Sequence, residues 1–163
     1  MRECCPEWLR LYLDLKALTG MRKGDMLKLR LDSITLEGLS IVQGKTGKRL
    51  IYEWSSELQA TIEDIRKLRR PVRSLHLFTK QDGQPFTAKG FNSAWQRAMK
   101  AALKNGLLRF TEHDLRAKVV TDARNSGMDA QRLAGHKNSA MTDRYVKSRQ
   151  VEKVKPLRRN IPQ

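Results

Sequence analysis

The sequence has 163 residues, enough for one domain that buries a hydrophobic core without disulfides or metals. Its net charge of +16 favours a polyanionic partner, most often nucleic acid, although a basic protein of the ribosomal type or a binder of anionic membranes carries similar charge. No apolar run approaches the roughly 20 residues of a membrane span, no signal peptide is visible, and the adjacent Cys4 and Cys5 indicate neither a disulfide framework nor a metal site. We therefore expect an intracellular protein.

The first elements along the chain are two helices followed by strands. Apolar residues at helical spacing predict a helix over 7–18, which a Thr-Gly pair ends. A second helix begins near Asp25, whose acidic side chain suits the positive end of a helix dipole. From 33 to 54, β-type runs alternate with glycine turns, which predicts a three-stranded antiparallel meander whose first strand lies at 34–36.

The second turn of this meander, at 44–48, is rich in glycine and carries Lys45 and Lys48. These lysines would project from a flexible hairpin toward an anionic ligand. Before the rest of the chain is considered, an ordinary solvated turn explains them equally well.

Four further helices are predicted between the meander and Ala134. They lie at 55–70, from Thr87 to Asn105, from a Thr111 cap through Val120, and at 129–133. On the third of these, His113 and Arg116 are three residues apart and so share one face. An imidazole beside a guanidinium suits a phosphate, because the arginine grips oxygens while the histidine relays a proton. The alternative is a surface pair without a ligand.

The stretch from Ala134 to Tyr145 places an imidazole, His136, nine residues before a phenol. Asn138 and Ser139 can cap a short helix that carries the tyrosine. Such a phenol can act as a nucleophile, although a tyrosine in a helical pattern more often packs its ring against a core.

Five strings in this order resemble the catalytic domain of the tyrosine recombinases, the phage-type integrases. The strings are TGMRKGDMLKL (19–29), QGKTGK (43–48), EHDLR (112–116), LAGHK (133–137) and DRYV (143–146). The resemblance runs from residue 7 to about 150. It implies an α+β fold, mainly α, with a small three-stranded antiparallel sheet packed beside a helical bundle. It also implies a catalytic domain over 1–150 and a basic tail over 151–163, with the family's N-terminal core-binding domain absent from this chain.

The resemblance also implies a set of catalytic side chains. They are Arg22, Lys45, His113, Arg116, His136 and Tyr145. The arginines would clamp the scissile DNA phosphate, the tyrosine would attack it to give a 3′-phosphotyrosyl link, and the lysine would protonate the leaving 5′-oxygen. His113 would take the tyrosine proton, and His136 would hydrogen-bond the phosphate. Neither a metal nor another cofactor is required.

The expected partner is double-stranded DNA at attachment-type sites, bound by a homo-tetramer of the full-length protein with accessory DNA-bending proteins. The expected location is the bacterial cytoplasm or nucleoid, with no membrane partner. Two alternative functions are DNA relaxation of the type IB topoisomerase kind and a non-catalytic DNA-binding module, since 128–145 loosely resembles a helix-turn-helix. The compact hairpin and the Gly-His pair favour the integrase over the topoisomerase, and the DNA-binding module leaves Arg22, Lys45 and the HDLR string unexplained.

Three departures from the family pattern stand out. Asp25 replaces the more frequent glutamate, and Ala134 replaces the usual leucine before the Gly-His pair. Lys48 lies three residues beyond Lys45, so Lys45 is the preferred general acid and Lys48 is the alternative. We also expect the tyrosine segment to be mobile and displaced from the pocket without DNA, because Met141 and Val146 are its main apolar anchors.

Overall fold

The computed structural model describes residues 1–147, which form seven helices and a two-stranded sheet. The elements are α1 (Glu7–Thr19), α2 (Lys23–Met26), β1 (Gly38–Val42), β2 (Arg49–Glu53), α3 (Ser56–Lys67), α4 (Ala88–Lys104), α5 (Glu112–Asn125), α6 (Ala130–Ala134) and α7 (Ser139–Lys147). Short 3-10 turns at Arg2–Cys4 and Leu31–Ser33 precede α1 and β1. None of the described helices is long and apolar enough to cross a membrane.

The main core is built around α1. Leu9, Tyr12 and Leu15 recur every three residues, so one face of the helix is apolar, and all three are fully buried. That face packs against α3, which presents Ile65 from its own apolar stripe. Phe91 of α4 also packs against this face, with its ring centroid 4.7 Å from that of Tyr12. Because α1 is packed on both helices, it fixes the position of the segment from Gly20 to Arg22 that follows it.

The sheet is an antiparallel hairpin in which Gly38 pairs with Glu53 and Val42 pairs with Arg49. Its inner face carries the buried Tyr52, whose hydroxyl donates to the carbonyl of Leu133 at 3.2 Å. This bond joins β2 to the end of α6 and holds the hairpin turn beside the C-terminal helices.

The predicted three-stranded sheet is not confirmed. Within residues 1–147, the stretch expected as a first strand forms a single bridge, Ile34 to Leu39. Leu36 is completely exposed, so no packing holds it in a strand. Thr35 instead forms a tight turn, because its hydroxyl donates to the Gly38 carbonyl and accepts from the Gly38 amide.

The predicted helix over 55–70 is confirmed in its body but ends earlier, at Lys67. Leu68 leaves the helix with φ −50° and ψ 124°. Arg70 then folds back and donates to the carbonyls of Ile65 and Leu77 at 2.8 and 2.9 Å. The guanidinium thus gives the Ile65 carbonyl a second donor beside the Leu68 amide and ties the helix end to Leu77.

The last three helices pack on one another and carry most of the candidate site. Thr111 caps α5, as predicted, by accepting from the Asp114 amide, while Asp114 accepts from the Thr111 amide. Asn138 caps α7 by accepting from the Met141 amide at 3.2 Å. A small apolar cluster unites the helices and comprises Val120, Ala123, Ala130 and Ala134, with Leu133 and Tyr145 against it.

Candidate active site

The site forms around the guanidinium of Arg116, on α5, whose side chain is buried. Its Nη1 donates to the carbonyl of Gly20 at 2.5 Å, and its Nη2 donates to the carbonyl of Ala134 at 2.8 Å. Nη2 also lies 3.1 Å from Nε2 of His136. Gly20 ends α1 and Ala134 ends α6, so the guanidinium is held by carbonyls at the C-terminal ends of two helices.

The positive charge of Arg116 is not neutralised by a carboxylate within residues 1–147. Its Nε is buried and has no hydrogen-bond partner there. Burial lowers the pKa of Arg116, and the nearby charge of Arg22 lowers it further, while Tyr145, which accepts a hydrogen bond from the guanidinium, opposes this shift. A buried cation with a free donor and no counter-ion is suited to an anionic ligand.

His136 is placed by the glycine before it. Gly135 ends α6 with φ of 64°, and a Cβ there would lie 2.2 Å from Nε2 of Gln43. Both the backbone conformation and the lack of space therefore require glycine at this position. The turn that results brings the imidazole back under α7, where it is 1% exposed.

The hydrogen bonds of His136 fix its tautomer. An arginine can only donate, so Nε2 accepts from Arg116 and the ring proton lies on Nδ1. Nδ1 then donates to the hydroxyl of Thr142 at 2.8 Å. Burial and the charges of Arg116, Arg22 and Lys48 lower the pKa of His136 to about 4. The imidazole is therefore neutral at physiological pH.

Arg22 enters the site from the N-terminus of α2. Its Nη1 donates to Oε1 of Gln43 at 2.8 Å and lies 4.0 Å from Oδ2 of Asp25. Gln43 is buried, and its Nε2 donates to the same Ala134 carbonyl that binds Arg116. Gln43 therefore connects the two arginines through shared partners, although they lie on different elements.

The hairpin turn is tied to the site by its backbone, whereas Lys45 stays outside. The Gly44 amide donates to Oδ1 of Asp25 at 2.9 Å. Lys45 is exposed and, within residues 1–147, forms no hydrogen bond or ion pair. Lys48 is half-buried, and its charge contributes to the lowered pKa of His136. The structure thus brings five of the six predicted side chains together. Lys45, the sixth, lies outside the group, so the contacts do not favour Lys45 over Lys48 as the general acid.

Tyr145 lies inside the pocket, on α7. Its ring stacks on that of His136, with centroids 5.4 Å apart and planes inclined by 6°. The ring of His113, at the exposed start of α5, lies 5.4 Å from it on another side. The phenol also accepts a hydrogen bond from Arg116. The nucleophile proposed from the sequence therefore contacts three of the side chains expected to act with it.

The structure differs from the expectation that Tyr145 is displaced from the site, because its ring stacks on that of His136. The expectation was based on the apolar residues of α7, whereas polar contacts and the ring of Tyr145 also hold this helix. Thr142 bonds His136, and Asp143 accepts from Arg124 of α5 at 2.6 Å. Val146 was expected to anchor α7, but its side chain lies outside what the structure describes. The predicted tail over 151–163 also lies outside the described residues.

Two side chains of the site were missed by sequence reasoning. Gln43 stands in the QGKTGK string, yet an uncharged amide gave no reason to assign it a role. Thr142 precedes Tyr145 by three residues, and this spacing on a helix could have indicated that both face the pocket. Each acts by holding another polar group in place.

Comparisons with known proteins identify the family of this chain. The model of the phage integrase family matches residues 1–152. The chain belongs to the phage integrase family. It is 31% identical over 154 residues to the integrase of Escherichia phage HK022, covering 90% of this chain and 43% of that protein. It is also 31% identical over 145 residues to the tyrosine recombinase XerD of Listeria innocua serovar 6a, covering 82% of this chain and 48% of XerD.

Among solved structures, the lambda integrase catalytic core matches with a TM-score of 0.68 and 26% identity, covering 81% of this chain and 85% of that one. The helical fold with a small antiparallel sheet is thus that of an integrase catalytic core. The chain spans less than half the length of the two integrase-family relatives.

Proposed function

We propose that this chain cleaves and rejoins double-stranded DNA at specific sites through a 3′-phosphotyrosyl intermediate on Tyr145. Membership of the integrase family supports this reaction class. The observation that carries the proposal is the buried guanidinium of Arg116, which has no carboxylate partner within residues 1–147 and whose Nε is free. A phosphate oxygen would satisfy both the charge and the donor.

In the proposed reaction, Arg22 and Arg116 hold the non-bridging oxygens of one DNA phosphate. The Tyr145 oxygen attacks the phosphorus, its proton passes to His113, and the bond from phosphorus to the 5′-oxygen breaks. A lysine of the hairpin turn protonates that oxygen. Rejoining is the reverse, with a 5′-hydroxyl attacking the phosphotyrosine. Because the covalent link retains the bond energy, this sequence requires neither ATP nor a metal, and cleavage should persist in EDTA.

His136 has to change its hydrogen bonds when a phosphate arrives. In the resting arrangement its Nε2 accepts from Arg116, so it has no proton there to donate. Once Arg116 turns toward the phosphate, the imidazole can carry its proton on Nε2 instead. Thr142 permits this change without moving, because its hydroxyl can donate to Nδ1 as readily as it accepts from it. Thr142 therefore supports His136 as a neutral hydrogen-bond donor to phosphate.

A DNA substrate with a sulfur in place of the leaving 5′-oxygen can identify the general acid. A thiolate leaves without protonation, since the pKa of a thiol is about 8.5. The variant that lacks the general acid should cleave normal DNA slowly and the sulfur substrate at the wild-type rate. Lys45→Ala and Lys48→Ala are the matched pair, and the one that the sulfur restores marks the acid. If the sulfur substrate restores the rate of neither variant, the hairpin lysines do not donate the proton.

We extend the proposal to the whole protein. Residues 1–150 act as the catalytic domain, and recombination takes place in a homo-tetramer on attachment-type DNA in the bacterial cytoplasm, assisted by DNA-bending proteins. The net charge of +16 supports binding to phosphates along the duplex. Integration and excision are both consistent with this chemistry.

Covalent capture on a nicked suicide DNA substrate tests the central step. The chain should form a protein–DNA adduct, and mass spectrometry should locate it on Tyr145. Tyr145→Phe should form none while binding DNA as wild type does. Adduct formation by that variant would refute the nucleophile. DNA binding by wild type without any adduct would support the non-catalytic alternative, and relaxation of supercoils without recombination would support the topoisomerase alternative.

A further inference from the structure

A buried lysine lies under the site and has no role in the reaction described above. Lys16, on α1, is fully buried. Its Nζ donates to the carbonyl of Met21 and to Oε1 of Glu112, the first residue of α5. Tyr12, one turn earlier on α1, donates to the same carboxylate oxygen at 2.9 Å. These contacts join three separate segments: α1, the link to α2, and the start of α5.

Both acceptors of Lys16 are direct neighbours of residues proposed to act on DNA. Met21 immediately precedes Arg22, and Glu112 immediately precedes His113. The lysine therefore sets the distance between a phosphate-binding arginine and the proton acceptor, which are carried by different elements. Arg116 reinforces this arrangement, because it binds the carbonyl of Gly20, the residue before Met21.

An apolar residue at position 16 would fit the rest of the α1 stripe, so stability alone does not explain a lysine there. Burial lowers the pKa of Lys16, and the carboxylate of Glu112 opposes that shift. Replacing a buried ion pair by apolar residues of similar size is often neutral for stability, whereas the directional hydrogen bonds are then lost. The hydrogen bonds of Lys16 thus fix the relative positions of the segments of Met21 and Glu112, which apolar packing would not do.

We propose that Lys16 and Glu112 are positioning residues, which fix the segment of Arg22 relative to that of His113 for cleavage. This inference rests on the proposed function for its catalytic consequence. Its structural part, the coupling of the two segments, stands without it.

Hydrogen exchange measures the coupling in the absence of cleavage. The amides of Asp25 and Met26 donate to the Arg22 carbonyl and report on the first segment, and the amide of Asp114 reports on the second. Lys16→Met should accelerate exchange at both by about tenfold or more. Glu112→Gln, which keeps the shape and removes the charge, should accelerate both by a smaller factor.

A matched control removes a lysine from an exposed ion pair. Lys118→Met breaks the pair with Asp122 on the surface of α5 and should leave both sets of amides at wild-type rates. Acceleration of one segment without the other, in either Lys16→Met or Glu112→Gln, would overturn the proposed coupling.

Single-turnover cleavage at saturating protein then separates positioning from stability. The triple variant Tyr12→Phe, Lys16→Met, Glu112→Leu replaces the ion pair and the hydroxyl that donates to it with apolar side chains, and it should melt at a higher temperature than Lys16→Met, which leaves the carboxylate without its cation. Its cleavage should still be slower by on the order of 10–100-fold, the effect of misplaced reacting groups. Recovery of both the melting temperature and the cleavage rate would show that the pair is merely structural. If wild type itself fails to cleave, the proposed function fails, and the exchange comparison still decides the coupling.

Discussion

The buried imidazole of His136 should make the stability of this domain fall at mildly acidic pH. In the folded protein its pKa is lowered from the ordinary 6.5 to about 4 by burial and by the charges of Arg116, Arg22 and Lys48. Above pH 6.5 the imidazole is neutral in both states, so it contributes no pH dependence. Below 6.5 the unfolded chain takes up a proton that the folded protein refuses until about pH 4, and unfolding is favoured.

The size of the effect follows from the two pKa values. Each unit of difference corresponds to about 1.4 kcal/mol, so the full loss, reached below pH 4, is about 3 kcal/mol. Integration from about pH 8 to pH 5 gives a loss of about 2 kcal/mol from this one group. That is a large share of the stability of an ordinary domain of this size.

Urea unfolding measured at several pH values between 8 and 5 provides the test. His136→Gln cannot take up the proton, so its free energy of unfolding should fall by about 2 kcal/mol less than that of wild type over this range. All other titrating groups are common to both proteins and cancel in the difference. Lys137→Gln alters the exposed neighbour and should follow wild type. Parallel curves for His136→Gln and wild type would refute the buried, neutral imidazole.

Three further predictions concern the reaction and DNA binding. Arg116→Lys keeps the charge but loses the fork of donors, so covalent capture should slow by about 100-fold or more; a near-normal rate would contradict the phosphate clamp. Thr142→Val removes the hydroxyl that supports both tautomers of His136 and should slow cleavage by roughly tenfold at unchanged DNA affinity, whereas Thr142→Ser should restore the rate. DNA affinity measured by anisotropy should fall steeply and linearly on logarithmic axes as salt rises, and a flat response would indicate a different partner.

The sequence predicts the helices well, because their apolar spacing and capping residues are local signals. The helix start at Thr87 and the cap at Thr111 are confirmed, as is the end of the first helix at Gly20, which adopts the left-handed conformation. The predicted strand at 34–36 fails because β-type residues do not form a strand without a surface to pack on, and Leu36 has none.

The ordered strings predict which side chains meet in the site, but they do not predict how those side chains are held. Gln43 and Thr142 act through a single amide and a single hydroxyl, and neither residue type is distinctive in a sequence. Their roles depend on two backbone turns, one at the hairpin and one at Gly135, that bring distant segments within hydrogen-bond distance. The docked position of Tyr145 has the same origin, because its partners come from α5 and from the turn before α7.

The way Arg116 is stabilised explains why the charge remains available to a substrate. A carboxylate beside it would neutralise the guanidinium and compete with DNA for the same donors. The chain instead supplies the carbonyls of Gly20 and Ala134, each at the C-terminal end of a helix, where backbone groups carry partial negative charge. Partial charges reduce the cost of burying the cation without cancelling it, and among residues 1–147 the Nε donor has no acceptor. The folded domain is thus prepared for an anion, and a phosphate placed there would lie beside the hydroxyl of Tyr145, the proposed nucleophile.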